Sequence, residues 1–170
     1  MIVRIPGFDL PLTAASGQSF RFVPAGDGFS LTAFHRHVFI RQISQEAFEF
    51  SCDQAEFDAI WHEYFSLDTD YSVINAMVPH DGSYLRRAVD YAGGMRILRQ
   101  EPFETLISFI ISQRRTIASI RDCVSRLSQH FGQDLADSVR DFPSPQSLAE
   151  ASIDELASCG LGYRAPYVQK

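Results

Sequence analysis

Two neighbouring arginines, Arg114 and Arg115, are the side chains best placed for chemistry, because two predicted helices meet there. The helix before them begins at Pro102, and the helix after them has Thr116 as its predicted N-cap. Free N–H groups and the helix dipole favour anions at a helix N-terminus, so the turn suits backbone phosphates. A solvated connector is the simpler interpretation, and the turn alone favours it.

Other potentially reactive groups lack partners at suitable spacing. His35 and His37 flank a predicted turn with no third ligand nearby, which is typical of ordinary turn residues. The three cysteines are Cys52, Cys123 and Cys159. Their odd number and wide separation argue against a disulfide framework or a zinc site, so reduced thiols, no metal and no cofactor are expected.

Composition indicates an ordinary globular protein, with 45% apolar and 21% charged residues in 170. The net charge of −6 argues mildly against a nucleic-acid partner, but residues 94–131 carry six arginines against three acidic residues. No apolar stretch is long enough to span a membrane, and the first residues lack a signal-peptide pattern. A cytoplasmic location is therefore expected.

The first half of the chain combines strands with helices. Residues 2–52 are predicted to form short strands. Apolar residues alternate over 29–34, 38–43 and 48–52, with turn residues at 24–28 and 35–37, which predicts an antiparallel sheet with hairpin connections. Asp53 then begins a helix that contains Trp61, and two further helices are predicted over 71–77 and 83–92. A glycine pair at 93–94 marks the expected boundary with the second half.

The second half is predicted to be entirely helical. Residues 102–111 are apolar on almost every side, which predicts a helix buried all round. Apolar positions repeat every three or four residues over 117–131, and Ser144 and Ser152 are N-cap signals for two more helices. Tyr167 and Val168 begin a further helical turn. The fold class is therefore α+β.

Four stretches of this sequence together resemble the 8-oxoguanine DNA glycosylases of the helix-hairpin-helix superfamily. They are residues 16–22, 64–68, 98–112, and 142–144 with 159–165. The most specific are Gly-Gln-Ser-Phe-Arg at 17–21 and Gly-Leu-Gly-Tyr-Arg-Ala at 160–165. All four occur in the family's order with similar spacing, so the resemblance covers nearly the whole chain.

The resemblance implies an antiparallel-sheet domain of the TATA-binding-protein type over residues 1–93. An incomplete helical glycosylase bundle follows over residues 94–170. The resemblance also implies an enzyme that flips 8-oxoguanine out of duplex DNA and excises it, with abasic-site lyase activity in the intact family member. The implied partner is double-stranded DNA containing oxidised guanine. A monomer is expected, associated with the nucleoid in a bacterium or located in the nucleus of a eukaryote.

Three residues take functional roles from the resemblance. Gly17 matches the glycine whose carbonyl accepts the N7–H that 8-oxoguanine has and guanine lacks, and a buried donor without an acceptor costs ~1–3 kcal/mol. Tyr163 matches the wedge, the aromatic ring that fills the gap left by the flipped base, and Arg164 matches the arginine that contacts the orphaned cytosine. Without the resemblance, Gly17 is a turn glycine and the Tyr-Arg pair lies on a surface.

Two positions depart from the family pattern. Arg114 stands where the family has an asparagine that helps to hold the opposite cytosine, and Ser119 stands where some members have an arginine. Arg114 and Arg115 are therefore expected DNA contacts, and the opposite-base preference stays open.

The family's glycine-rich hairpin, nucleophilic lysine and aspartate follow the Tyr-Arg segment, and nothing up to Lys170 matches them. No catalytic residue is assigned, and this 170-residue polypeptide, resembling the front part of a glycosylase, is expected to lack lyase activity. One alternative is a non-catalytic damaged-DNA-binding or structural protein. Another is a relative that acts on alkylated bases.

Overall fold

The chain forms two compact units in the computed structural model, which describes residues 1–135 and 139–170. The first unit comprises residues 1–19, 24–29 and 38–99, and the second comprises residues 20–23, 30–37 and 100–170. The division of the chain at 93/94 into two functional domains stays a prediction.

Five strands form one sheet in the order β1-β5-β4-β3-β2. The strands are β1 (Ile2–Arg4), β2 (Phe22–Ala25), β3 (Gly28–Ala33), β4 (Arg36–Gln42) and β5 (Ala47–Phe50). β5 pairs antiparallel with both β1 and β4, with Val3 opposite Phe48. Val38 and Ile40 of β4 are fully buried, as is Phe50 of β5, because alternate residues of a strand share one face. The predicted antiparallel sheet is confirmed.

A helix absent from the sequence prediction follows β1. α1 (Leu10–Ala15) lies within residues 2–52, for which only strands were expected, so that expectation is wrong for this segment. The physical reason is local: the Asp9 carboxylate accepts a hydrogen bond from the Leu12 N–H (2.8 Å), and Pro11 lies in the first turn, where its missing N–H costs nothing.

The other helices of the first unit match the prediction. Asp53 caps a continuous helical stretch that contains a π-helical turn and buries Trp61, whose indole N–H donates to the Glu56 carboxylate (2.9 Å). Asp70 and Ser83 cap the next two helices. These elements are α2 (Gln54–Glu56), the π turn (Phe57–Trp61), α3 (His62–Tyr64), α4 (Tyr71–Ala76) and α5 (Tyr84–Ala92).

The second unit contains five helices and a 3₁₀ turn in its described residues. They are α6 (Pro102–Ser112), α7 (Ile117–Phe131), α8 (Pro145–Glu150), α9 (Ile153–Ser158), the 3₁₀ turn (Gly162–Arg164) and α10 (Ala165–Gln169). The predicted caps Thr116, Ser144 and Ser152 are confirmed, and Ser152 forms a full capping box with Glu155. Val124, Leu127 and Leu156 are fully buried in the core of this unit.

The prediction that α6 is buried on every side is wrong. Ile107 and Ile111 are buried, but Leu106 is 55% exposed and Phe109 is 67% exposed. The reason is that α6 contacts α7 and α10, so only one of its faces is covered within this unit. Separately, no helix among the described residues is both long and apolar enough to cross a membrane.

Two substitutions on α6 distinguish its faces. We expect Ile111→Ala to lower the free energy of unfolding by ~2–5 kcal/mol, because it leaves a cavity in the core. Leu106→Ala is the matched control on the exposed face and is expected to change it by no more than about 0.5 kcal/mol. Urea denaturation measures both, and similar losses would contradict the one-sided burial of α6.

Candidate nucleic-acid interface

The turn between α6 and α7 presents an arginine in an unusual backbone conformation. Gln113 ends α6 with extended backbone, and Arg114 follows with φ +54°, in the left-handed region. This region is costly for a side chain other than glycine, asparagine or aspartate. Thr116 then caps α7 by accepting from the Ser119 N–H (3.3 Å). The turn therefore holds Arg114 at the surface, next to a helix N-terminus.

Tyr163 lies on a second loop, which is shaped by two glycines. Gly160 has φ +90° and Gly162 has φ +58°, and glycine adopts these values without a Cβ clash. The chain then makes its 3₁₀ turn, where Tyr163 is 61% exposed. The Arg164 guanidinium lies 4.3 Å from the centre of the Tyr163 ring, within cation–π range.

Two arginines, one on each loop, each donate a hydrogen bond to the backbone of the other loop. Arg115 Nη2 donates to the carbonyl oxygen of Gly160, and Arg164 Nη2 donates to the carbonyl oxygen of Gln113. Arg164 is only 5% exposed, so its guanidinium lies beneath the tyrosine ring rather than in solvent. The turn at 113–116 and the loop at 160–164 are therefore held together by side-chain bonds to backbone.

The four arginine and tyrosine site residues predicted from the sequence all belong to the second unit. Tyr163, Arg164 and Arg115 are connected through the contacts above, and Arg114 is adjacent in the chain. Among the described residues, no carboxylate forms an ion pair with any of the three arginines. No carboxylate therefore cancels their positive charge, and the exposed Arg114 is available to an anionic ligand.

Gly17, the fifth predicted site residue, belongs to the first unit. It follows α1 with φ +77°, again in the region that favours glycine. Backbone conformation alone thus favours glycine at this position, whatever else the residue does.

A charged cluster in the second unit was missed by sequence reasoning; its side chains are largely buried, except for the exposed His35. Arg21 Nη1 lies 3.4 Å from a Glu104 carboxylate oxygen and 3.6 Å from one of Asp141. His35 Nδ1 hydrogen-bonds Asp141, and its Nε2 lies 3.9 Å from Glu101. Arg21 was visible only as part of a family motif, because its acidic partners are 83 or more residues away. Only the fold brings these charges together.

Burial is the main influence on the pKa of Glu104. It raises the pKa of Glu104 to about 7, although Arg21 acts in the opposite direction. The hydrogen bond to Asp141 raises the pKa of His35. Within residues 1–135 and 139–170, no three His, Cys, Asp or Glu side chains are arranged to hold a metal ion.

Comparison with known families covers the chain from residue 2 to its last residue. Residues 2–106 match the family described as 8-oxoguanine DNA glycosylase, N-terminal domain. The chain belongs to this family. The rest of this glycosylase-family chain, residues 107–170, matches the HhH-GPD superfamily of base excision DNA repair proteins. The predicted resemblance and the α+β fold class are confirmed.

Relatives of this family member extend well beyond the region they share with it. The N-glycosylase/DNA lyase OGG1 of Arabidopsis thaliana is 33% identical over 94% of this chain but only 46% of its own length. The N-glycosylase/DNA lyase of Saccharomyces cerevisiae is 34% identical over 62% of this chain and 29% of its own. The chain spans about half the length, or less, of these curated relatives.

Solved glycosylase structures also match nearly the whole of this chain and only part of their own length. The apo form of the Clostridium acetobutylicum 8-oxoguanine glycosylase/lyase superposes with a TM-score of 0.90 at 33% identity, over 99% of this chain and 60% of that one. Its complex with double-stranded DNA containing cytosine opposite 8-oxoG superposes with a TM-score of 0.89 at 31% identity, over 99% and 62%. A 3-methyladenine DNA-glycosylase from Archaeoglobus fulgidus shares the fold at 17% identity and a TM-score of 0.74, over 99% and 65%.

The charged cluster predicts a pH dependence of stability. A carboxyl group whose pKa is raised on folding stabilises the protein below its unfolded pKa, and the benefit is lost as pH rises through the folded pKa. For Glu104 this loss of stability falls between pH 4.5 and about pH 7. His35, with a raised pKa, acts in the same direction.

We therefore expect the free energy of unfolding of the Glu104→Gln variant to fall less than that of the unsubstituted protein between about pH 5 and about pH 7. Urea denaturation at several pH values measures both slopes. Parallel curves would show that Glu104 does not take up a proton on folding.

Proposed function

We propose that this chain is the lesion-recognition part of a base-excision DNA glycosylase, which flips 8-oxoguanine out of duplex DNA and excises it. In this proposal the intact family member also carries abasic-site lyase activity. The observation that carries the proposal is an exposed aromatic ring, Tyr163, on a glycine-shaped loop bound to an arginine-bearing turn. Family membership and the likeness to glycosylase structures support it.

Tyr163 is proposed as the wedge. A flipped base leaves a gap in the stack, and apolar or aromatic side chains inserted at such steps stabilise the distorted duplex. The ring is exposed, and its loop is bonded to the α6–α7 turn, so the side chain is presented by a restrained backbone. A restrained wedge loses less conformational entropy on insertion.

Arg164 is proposed to contact the orphaned cytosine. In the structure its guanidinium donates to the carbonyl oxygens of Gln113 and Leu161, so contact with a base requires an exchange of partners. Exchanging one hydrogen bond for another costs little, since the net value of a typical bond is only ~0.5–1.5 kcal/mol. The cytosine edge would then take the place of a backbone acceptor.

Arg114 and Arg115 are proposed as further DNA contacts. Arg114 is exposed and free of carboxylate partners among the described residues, which suits a phosphate or the opposite base. Arg115 is half-buried against Gly160, so its proposed contribution combines charge with support of the tyrosine loop. Gly17 is proposed to accept the lesion's N7–H through its backbone carbonyl.

The proposed partner is double-stranded DNA containing oxidised guanine, bound by one copy of the protein. The proposed location is the cytoplasm, on the nucleoid, for a bacterial protein, and the nucleus for a eukaryotic one. No catalytic residue is assigned within these 170 residues, where the single lysine is Lys170. The second candidate is damaged-DNA binding without catalysis, because the exposed Tyr163 and the arginine-bearing turn suit DNA contacts and cleave no bond themselves.

Lesion preference tests the proposed function. We expect the full product of the gene to bind a duplex with an 8-oxoguanine–cytosine pair roughly 5- to 150-fold more tightly than the same duplex with guanine. Tyr163→Ala should weaken binding to the lesion duplex, because the gap in the stack is left unfilled. Fluorescence anisotropy measures the dissociation constants, and equal affinity for both duplexes would rule out the proposal.

Salt dependence tests the arginine turn separately. If Arg114 neutralises a phosphate, Arg114→Ala should reduce the slope of log K against log salt concentration by about 0.9. Arg126→Ala is the matched control, since Arg126 lies on α7 in an exposed ion pair with Asp122 (2.9 Å) and has no proposed DNA contact. An unchanged slope in the Arg114 variant would show that Arg114 contacts no phosphate and belongs to a solvated turn that only connects two helices.

A further inference from the structure

The Gln18 side chain fixes the loop that carries Gly17. Its Nε2 donates to Ser16 Oγ (3.0 Å) and to the carbonyl oxygen of Arg96 (2.9 Å), and its Oε1 accepts from the Leu98 N–H (2.9 Å). The amide thus bonds two backbone groups of one extended segment, much as a neighbouring strand would. The half-buried Gln18 amide thus takes the place of a backbone hydrogen-bonding partner.

The segment that receives Gln18 is itself anchored along its length. Asp9 N–H donates to the Gly94 carbonyl (2.8 Å), and Arg96 N–H donates to Thr13 Oγ1 (3.1 Å). On the next residue, Ser66 Oγ donates to the Ile97 carbonyl (2.7 Å), while the Ile97 N–H donates to the Tyr71 hydroxyl (3.0 Å). Residues 94–98 therefore form a fixed frame without belonging to a helix or strand.

The Arg96 side chain strengthens this frame. It is only 6% exposed, donates to the carbonyl oxygens of Pro6 (3.0 Å) and Gly7 (3.4 Å), and lies 4.5 Å from the centre of the Tyr71 ring. The backbone that Gln18 bonds is thus held by its own buried side chain as well as by its neighbours.

Gly17 is also held from its other side. Ser16 ends α1, where its Oγ donates to the carbonyl oxygen of Thr13 (2.7 Å) and accepts from Gln18 Nε2. Both residues flanking Gly17 therefore have bonded side chains, and the glycine between them is fixed in its left-handed conformation.

We propose that Gln18 is a positioning residue for lesion specificity, holding the Gly17 carbonyl where the extruded base presents N7. This inference rests on the proposed role of Gly17. Guanine presents a lone pair at N7 and 8-oxoguanine presents an N–H, so a fixed carbonyl oxygen repels one base and bonds the other. A carbonyl free to move would retreat from the lone pair and accept both bases.

The test compares three duplexes with the full gene product and its Gln18→Met variant. Methionine has nearly the length of glutamine but forms none of the three hydrogen bonds. The duplexes carry 8-oxoguanine, guanine, or a tetrahydrofuran abasic-site analogue opposite cytosine. We expect the preference for 8-oxoguanine over guanine to fall about tenfold or more, because small displacements of a recognition group are costly. Affinity for the analogue, which has no base to read, should stay within about twofold.

Gln42→Met is the matched control, since Gln42 is exposed on β4 and its change should leave all three affinities unaltered. A preference that survives in Gln18→Met would overturn the role of Gln18 alone. Equal weakening on all three duplexes would also overturn it, by making Gln18 a general structural residue. A protein without any preference before substitution would instead refute the proposed function.

Discussion

The surface around Tyr163 depends on two guanidinium groups that bond backbone carbonyls instead of carboxylates. Arg115 and Arg164 each join one loop to the other in this way. A carbonyl oxygen satisfies a donor but cancels no charge, so both positive charges persist. One kind of interaction therefore fixes the loop geometry and keeps this region cationic in a chain whose net charge is −6.

Local signals in the sequence were sufficient for most of the secondary structure. Thr116, Ser144 and Ser152 were recognisable as N-caps because a cap acts within three residues of its partner. The same rule applied to Asp9 and Pro11 would have found α1, but the alternation of apolar residues later in the segment, from residue 29 to 52, favoured strands for the whole of it. The π-helical turn around Trp61 left no pattern that distinguishes it from an α-helix.

Features that depend on distant residues were beyond sequence reasoning. The exposure of Phe109 is set by which helices pack against α6, and an apolar sequence does not state its neighbours. Likewise, Arg21 is an ordinary charged residue in its own segment, and only folding places it beside Glu104 and Asp141. The bonds from Gln18 to residues 96–98 connect positions about 80 residues apart. Gly17, Tyr163 and Arg164 came from family motifs, whereas Arg114 and Arg115 were recognised at the predicted helix junction. All their roles stay predictions.

The left-handed backbone at Arg114 has a consequence for the evolution of this turn. A non-glycine residue at φ +54° costs on the order of 1 kcal/mol that glycine avoids. The protein therefore forgoes stability at this position for as long as it keeps a cation there. In the proposed role of Arg114, thermal stability favours glycine at this position while binding to a polyanion favours arginine, so the two requirements oppose each other.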